Sequence, residues 1–587
     1  MSTLRFGEFE LEEGRRELRL RGREIALQPR VFDLLCYLVR HRDRVVGKDE
    51  LFEALWPGVI VTEGSLQRAV SLARSALREG GLDNSIRTHA RSGYRFSYDG
   101  VESREVTAPA ALRPYIQVAR QAYESSEWES AVAAFERANG EQPLGDADLE
   151  RWAAAVQCAG QFAQAIAPLE QAVAAHTTDG NDYGAARAML GLAQILFEQR
   201  DYAVARGWQQ RAARVLASGE RCREQGQLMW LSSRFAAADG KLDAAQHYAE
   251  QALEIGREIG DPDIETLGLN YLGVALQSKG EIERGAALQD EAAAAVLAGD
   301  VSPLVGGLIY CGVIWSCRNR GDWARAAQWT DQFTRWCQSS PLHNFPGTCR
   351  LHRAEVLTIR GDLTEAETEA KAVCESLQAQ APWAEGNAYH VLGDIYLLRG
   401  EFDRAEAAFK RTHELGWDPQ PGYALLCLER GDVAAAKQTL EHSLQAANWA
   451  NQQRRALLLA NLVIVDLAAN DLGGAKVAMA ELDARPELYG TEAHHGTVLR
   501  ARAELAVHEG RIDAAAAHLR EAIQAWQAVG SPLNVALLRL RLAQLLVAQG
   551  KHHSAELERL SAESAFRNMG AGGLLGRCEA LKRQVTQ

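Results

Sequence analysis

Gly240-Lys241-Leu242-Asp243-Ala244-Ala245 is one copy of a pattern that recurs through most of this chain. A small or polar residue, most often glycine, leads into a polar residue and an apolar or aromatic one. Two variable positions and an alanine follow. The same pattern starts at Gly160, Gly321, Gly361, Gly400, Gly431, Gly510 and Gly550, with weaker copies at Ser126, Arg200, Gly280 and Asn470. From 160 to 550 the starting residues lie 40, 40, 40, 41, 40, 39, 31, 39, 40 and 40 positions apart. Chance does not hold such a register, and a fixed period of this length marks a repeat array. Each copy reads as a helical hairpin. Glycine ends the first helix, the apolar residue staples the turn, and alanine lets the second helix approach closely. No single hairpin can bury its own apolar face, so neighbours stack to cover it.

Working outward, the chain is Ala- and Leu-rich and helical from about Leu112 onward, but the first hundred residues read differently. Phe6, Phe9, Leu11, Leu18, Leu20, Ile25 and Leu27 sit in short segments broken by Gly14 and Gly22, the mark of a small antiparallel sheet. Pro29 opens a helix with Phe32, Leu35, Leu38 and Val39 on one face. A second helix runs from about Lys48 to Leu55, before Trp56-Pro57-Gly58. Thr62 caps a third that reaches about Glu79. Ile86 to Tyr98 forms a hairpin around Ser92-Gly93, and Val101 to Pro114 reads as a linker. Strands, three helices and a closing hairpin make a winged-helix plan.

The chain has 587 residues and a net charge of −13, too long for one core and too acidic to coat nucleic acid as a whole. The charge is uneven. Residues 1–100 hold 17 Lys+Arg against 15 Asp+Glu, and residues 65–95 hold six arginines against Glu79 and Asp83. A basic face on an otherwise acidic chain suits DNA binding confined to one small module. The ten cysteines lie singly, without C-x-x-C spacing, as expected of reduced thiols. The N-terminus lacks a signal-peptide core, and the most apolar run, Leu457 to Ala469, is broken by Asn461 and Asp466. A cytoplasmic location is expected.

Leu27-Gln28-Pro29-Arg30-Val31-Phe32-Asp33-Leu34-Leu35 resembles the first-helix signature of OmpR/PhoB-type winged-helix regulators. Val45 to Leu51 with Leu55-Trp56 is similar to the second-helix region. Leu66, Val70, Arg74 and Leu77 match the recognition-helix spacing, and Ile86-Arg87-Thr88 with Gly93-Tyr94-Arg95-Phe96 the wing. The resemblance implies sequence-specific binding to double-stranded DNA, as a homodimer on direct repeats. On the third helix Leu66, Val70, Ala73 and Leu77 form an inward stripe and leave Gln67, Arg68, Ser71, Arg74 and Ser75 on other faces for the major groove, where Arg pairs with guanine and Gln with adenine. Arg87, Thr88, Arg91 and Arg95 suit phosphates or a minor groove. The family commonly has Arg-Gly where this chain has His89-Ala90-Arg91, so wing contacts transfer less directly. No phosphoacceptor domain or membrane helix is expected, so any sensing belongs to the repeats.

Leu272-Gly273 with Leu276 and Leu392-Gly393 with Tyr396 resemble the signature of tetratricopeptide repeats over about residues 115–570, in about twelve units. That family's usual period is 34, so 40 implies longer helices. The resemblance places Trp230, Arg234, Asn270, Gln277, Cys311, Trp315, Arg318, Asn319, Glu355, Asn387, His390 and Asp394 along a concave groove. Polar groups beside aromatics there could hold a peptide, a protein segment or a small-molecule effector, or simply pack between hairpins. Trp323, at the staple position, packs in this way.

No G-x-x-x-x-G-K-[ST] segment and no H-E-x-x-H occur, and the pairs His494-His495 and His552-His553 diverge on a helix. No enzyme, metal site or cofactor is expected. The expected fold is mainly α: an N-terminal α+β winged helix (1–100), a linker (101–114) and an α-α superhelical solenoid of tetratricopeptide-like hairpins (115–587). The expected function is one-component transcription regulation. The rival is an interaction scaffold whose winged helix has become a docking module.

Overall fold

The computed structural model describes residues 2–585 apart from 13–16, 22, 26, 43, 56–62, 79, 83–84, 90–92, 99–101, 106–113, 218, 220, 340–347, 381, 447 and 487–489. Trp56, Thr62, Arg91 and Ser92 therefore lie outside the described residues. The chain divides into two units, an N-terminal one built on residues 1–114 and a helical arm that begins at Tyr115.

In the first unit, strands β1 (Ser2–Phe6), β2 (Phe9–Glu12), β3 (Glu17–Leu20) and β4 (Arg23–Ile25) form an antiparallel meander. Helix α1 (Pro29–Arg40) starts with proline in its first turn, where the missing N–H costs nothing. Then come β5 (Val46–Gly47), α2 (Lys48–Leu55), α3 (Glu63–Arg78), β6 (Ile86–His89) and β7 (Gly93–Phe96). The last two strands join β5 in a second sheet of order β5-β7-β6. Phe6, Phe9, Leu11, Leu18, Leu35, Leu38, Leu66, Val70, Leu77 and Phe96 make one buried core beneath both sheets. Gly93 has φ 141, and a Cβ there would strike the Val46 carbonyl, so only glycine lets β7 lie this close to β5.

One boundary needs correction. The segment expected to be linker from 101 begins with a strand, β8 (Glu102–Glu105), which pairs with β1 and extends the first sheet to five strands. Its Glu-Ser-Arg-Glu sequence carries no apolar alternation. An edge strand held by main-chain hydrogen bonds leaves no hydrophobic signal to read.

Among the described residues the arm contains twelve helical hairpins, an extra short helix Trp449–Gln453 and a terminal helix Gly572–Val585. All twelve residues that start the repeated pattern have positive φ, between 58° and 98°. At each of them the next residue's N–H donates to the carbonyl five positions back, as Lys241 does to Ala236 at 2.8 Å. This 6→1 bond satisfies a carbonyl that the ending helix would otherwise leave unpaired. The alanine of the pattern is buried in eleven copies, from Ala131 to Ala555. In the twelfth, Gly285 takes its place against the Gly273 carbonyl. Gly393 likewise leaves the room that Phe409 occupies.

Successive turns of the arm also touch. Thr491 Oγ1 donates to the Arg320 carbonyl at 2.6 Å across 171 residues, and Ser531 Oγ to the Ile359 carbonyl at 2.9 Å across 172. At the next position Gly400 faces Gly573, backbone to backbone. Among the described residues no helix is long and apolar enough to cross a membrane.

Two glycines separate the cost of the turn from the cost of this contact. Gly431 has φ 80 with open space around it, so Gly431→Ala should cost about 1 kcal/mol from backbone strain alone. Gly400 has φ 79, and its Cβ would lie 2.7 Å from Gly573 Cα, so Gly400→Ala should cost about 2 kcal/mol or more. Urea midpoints followed by circular dichroism would check the order. Equal losses would mean that the inter-turn contact carries no stability.

Candidate nucleic-acid interface and repeat groove

Helix α3 is sharply two-faced. Leu66, Ala69, Val70, Ala73, Ala76 and Leu77 point into the core, while Gln67, Arg68, Ser71, Leu72, Ser75 and Arg78 are exposed. The exposed row follows from the 3.6-residue period once the apolar stripe is buried. Gln67, Arg68, Ser71 and Ser75 were expected on it. Leu72, 37% exposed, and Arg78 complete the row beyond the residues singled out from sequence. Leu72 sat hidden because an apolar residue in an amphipathic helix reads as core.

Arg74 stands apart from that row. Its Nε and Nη2 donate to the Ile86 carbonyl at 3.0 and 2.7 Å, and Nη2 also donates to Thr88 Oγ1 at 2.7 Å. Arg74 thus braces the wing against α3 and is half-buried in doing so. Arg95 is also engaged, its Nε donating to the Arg42 carbonyl at 3.0 Å. Arg87 and Thr88 on β6 are exposed. Among the described residues, Gln67, Arg68, Arg78 and Arg87 are exposed donors on this side of the unit with no partner, beside the Ser71 and Ser75 hydroxyls.

A second brace ties α1 to α2. Arg44 forks onto both oxygens of Glu50 at 2.8 and 2.5 Å, and Tyr37 donates to Glu50 at 2.9 Å. Hydrogen bonding from Arg44 holds the Glu50 carboxyl at about 2, well below the ordinary carboxylate range.

On the arm, the groove residues expected from the repeats sit largely within the arm's own packing. Trp230 is buried, and the Arg234 guanidinium lies over Phe197, Trp230 and Tyr271 at 4.5, 5.4 and 5.6 Å while pairing with Glu198 at 2.5 Å. Gln277 donates to Gln289 at 2.5 Å, and Gln289 donates to Asn270 at 2.9 Å and to Ser316 at 3.2 Å, a buried polar ladder between helices. Arg318 pairs with Glu355 at 2.5 Å, and His352 lies 3.1 Å from the other carboxylate oxygen. Burial opposes charge on Glu355, yet Arg318 and His352 outweigh it and keep the carboxyl below its ordinary range. His390 lies 3.4 Å from Asp394, Asn319 and Asn387 are buried, and Cys311 is half-buried.

Trp315 meets two tryptophans from later in the chain, Trp417 at 5.2 Å and Trp449 at 6.3 Å between ring centroids. The short helix Trp449–Gln453 packs on the helices Pro262–Ser278 and Pro303–Asn319, with Trp449 against Ala236, Ala237, Ala245 and Ala275. Arg200 covers Trp417 at 4.3 Å and donates to the Gly416 carbonyl. The middle of the expected groove is thus filled by the arm itself. The signal was present as the single 31-residue step between 400 and 431, the one place where the repeat is cut short and Trp417 falls between helices.

With this geometry in view, residues 22–96 match the family described as transcriptional regulatory protein, C terminal, and residues 151–220 match the tetratricopeptide repeat. The chain carries an OmpR/PhoB-type winged-helix domain of transcriptional regulators, followed by a tetratricopeptide-type solenoid. Both are regulatory and interaction families, not enzyme families.

Among individual proteins, the chain is similar to the transcriptional activator CadC of Escherichia coli (strain K12), 30% identical over 95 residues. That stretch is 16% of this chain and 19% of CadC. It is also similar to the uncharacterized transcriptional regulatory protein YvcP of Bacillus subtilis (strain 168), 34% identical over 82 residues, 14% of this chain and 35% of YvcP. The chain thus spans about a fifth and about a third of these two relatives. Solved structures similar to it include the APC/C hetero-tetramer Cut9-Hcn1, at 13% identity, TM-score 0.42 and coverage of 80% of this chain and 92% of that one. Another is a tetratricopeptide repeat protein from Parabacteroides merdae ATCC 43184, at 13% identity, TM-score 0.25 and coverage of 52% and 98%.

Two outcomes follow for the first unit. Arg74→Ala should loosen the wing more than it removes a base contact. Amides of β6 and β7 should exchange faster, with a stability loss of about 1–2 kcal/mol, and unchanged wing exchange would refute the brace. The Glu50 carboxyl should titrate near 2 by NMR and move up toward the ordinary value in Arg44→Ala. Because its folded value is depressed, its contribution to stability is full above the unfolded carboxylate value of about 4.3 and fades as pH falls toward 2.

Proposed function

We propose that this chain is a sequence-specific, one-component transcription regulator working in the cytoplasm. The exposed row of α3 reads the major groove: Arg68 donates to guanine, Gln67 pairs with adenine, and Ser71 and Ser75 make shorter polar contacts. Arg87 and Thr88 on the wing meet the backbone or the adjacent minor groove, and two copies sit on a direct repeat. The arm takes an effector or a partner protein that alters promoter occupancy or self-association. The observation that carries this reading is α3 itself. Its core-facing stripe is buried and its opposite face, polar apart from Leu72, is exposed, in a unit that matches a family of transcriptional regulators.

Gel shifts on the DNA upstream of its own coding region test the proposal. Gln67→Ala with Arg68→Ala should weaken specific binding by about 10- to 100-fold or more, since a good bidentate base contact contributes about 1–3 kcal/mol. Binding should also fall steeply with salt as Arg–phosphate contacts release counterions. Equal affinity for specific and competitor DNA would overturn the reading in favour of a docking module.

A further inference from the structure

Three arginines recur on the first helices of the last repeats: Arg500 on Glu492–His508, Arg541 on Pro532–Ala548 and Arg577 on Gly572–Val585. Arg541 forks onto both oxygens of Glu504, at 2.7 and 2.6 Å, and its Nη1 donates to Gln544 at 3.0 Å. Arg577 pairs with Glu429 on the helix Gly422–Glu429. Glu504 and Glu429 both act on Arg500 with their charge, and both are engaged elsewhere.

Glu504 lies one helical turn after Arg500, where an i,i+4 pair would ordinarily form. Its two oxygens are nevertheless committed to Arg541. Arg500 makes no hydrogen bond or ion pair among the described residues and sits half-buried on its helix. Burial pulls its guanidinium below the ordinary range, and Arg541 and Arg577 push the same way. Of the charged side chains that act most on Arg500, the two carboxylates are each bonded to another arginine. An unpaired charge in partly desolvated surroundings is costly until a counterion arrives.

We propose that Arg500 anchors a binding site for a small oxyanion, a carboxylate or phosphate group. Its planar fork takes two oxygens of the ligand. Arg541 and Arg577 hold Glu504 and Glu429, so neither carboxylate is left to close over Arg500. The site shares no residue with the groove around Trp315, and it does not depend on how the winged helix reads DNA.

Calorimetric titration and thermal melting of the full chain, at constant ionic strength, test it. The probes are sodium succinate and inorganic phosphate, with sodium chloride as control. At least one oxyanion should bind saturably and raise the melting midpoint where chloride does not, and the two arms tell carboxylate from phosphate. Arg500→Met should abolish binding without lowering the midpoint of the unliganded chain, because a desolvated, unpaired cation is removed. Arg500→Lys keeps the charge but loses the fork, so it should bind about tenfold more weakly, and it decides the matter if Arg500→Met does not fold. Arg502→Met, on the same helix but paired with Asp483 at 2.6 Å, should bind like the unmodified chain. Failure of both oxyanions to exceed chloride, or undiminished binding by the Arg500 variants, would overturn the site and leave the reading of α3 untouched.

Discussion

At each of the twelve pattern turns of the arm one residue enters the left-handed region and its successor donates to the carbonyl five positions back, and the same bond follows Gly180, Gly299, Gly416, Gly530 and Gly570. Everything else in the arm depends on that bond. It stops one helix abruptly and fixes the direction in which the next departs. The apolar residue that follows is thereby set against the finished helix, and a buried alanine or glycine brings the two helices close. The conformation is demanding enough that glycine supplies nine of the twelve positions; Ser126, Arg200 and Asn470 adopt it in spite of a side chain. Arg200 has a further role, since its guanidinium covers Trp417 from a later repeat.

Because the turn repeats almost unchanged, its small rotation accumulates until the chain meets itself a little over four repeats later. The contacts at Arg320–Thr491, Ile359–Ser531 and Gly400–Gly573 step along together at nearly the same offset. Each uses the turn of one hairpin against the start of a helix one superhelical turn on. Glycine at 400 therefore serves two constraints, the positive φ and the approach of another backbone. Where the period shortens, Trp417 and then Trp449 come in beside Trp315 with their rings tilted to it. Side chains that an open groove would offer to a ligand become internal structure, and Arg500, without a partner among the described residues, lies farther along.

The N-terminal unit obeys a different constraint, a helix that must be buried on one side and usable on the other. Six apolar residues of α3 enter the core, and the helical period leaves a polar row outside. The wing is fixed relative to that row by Arg74 bonding to Ile86 and Thr88. One arginine of the module thus holds the strand that carries Arg87 and Thr88 against α3.

The sequence by itself determined the architecture. Winged-helix elements, hairpin count, turn positions and the buried alanines are all written in local periodicity, where spacing acts directly on backbone geometry. It also placed Gln67, Arg68, Ser71 and Ser75 outside the core, because helical phase follows from the apolar residues alone. Only the tertiary structure decided which polar groups remain free. Arg74 and Arg95 are claimed by main-chain carbonyls, Glu504 by Arg541, and Trp315 by rings more than a hundred residues away. Strand β8 was equally invisible, since its pairing uses only the backbone. Such choices depend on which partner arrives in three dimensions, and a pattern along one dimension does not carry that information.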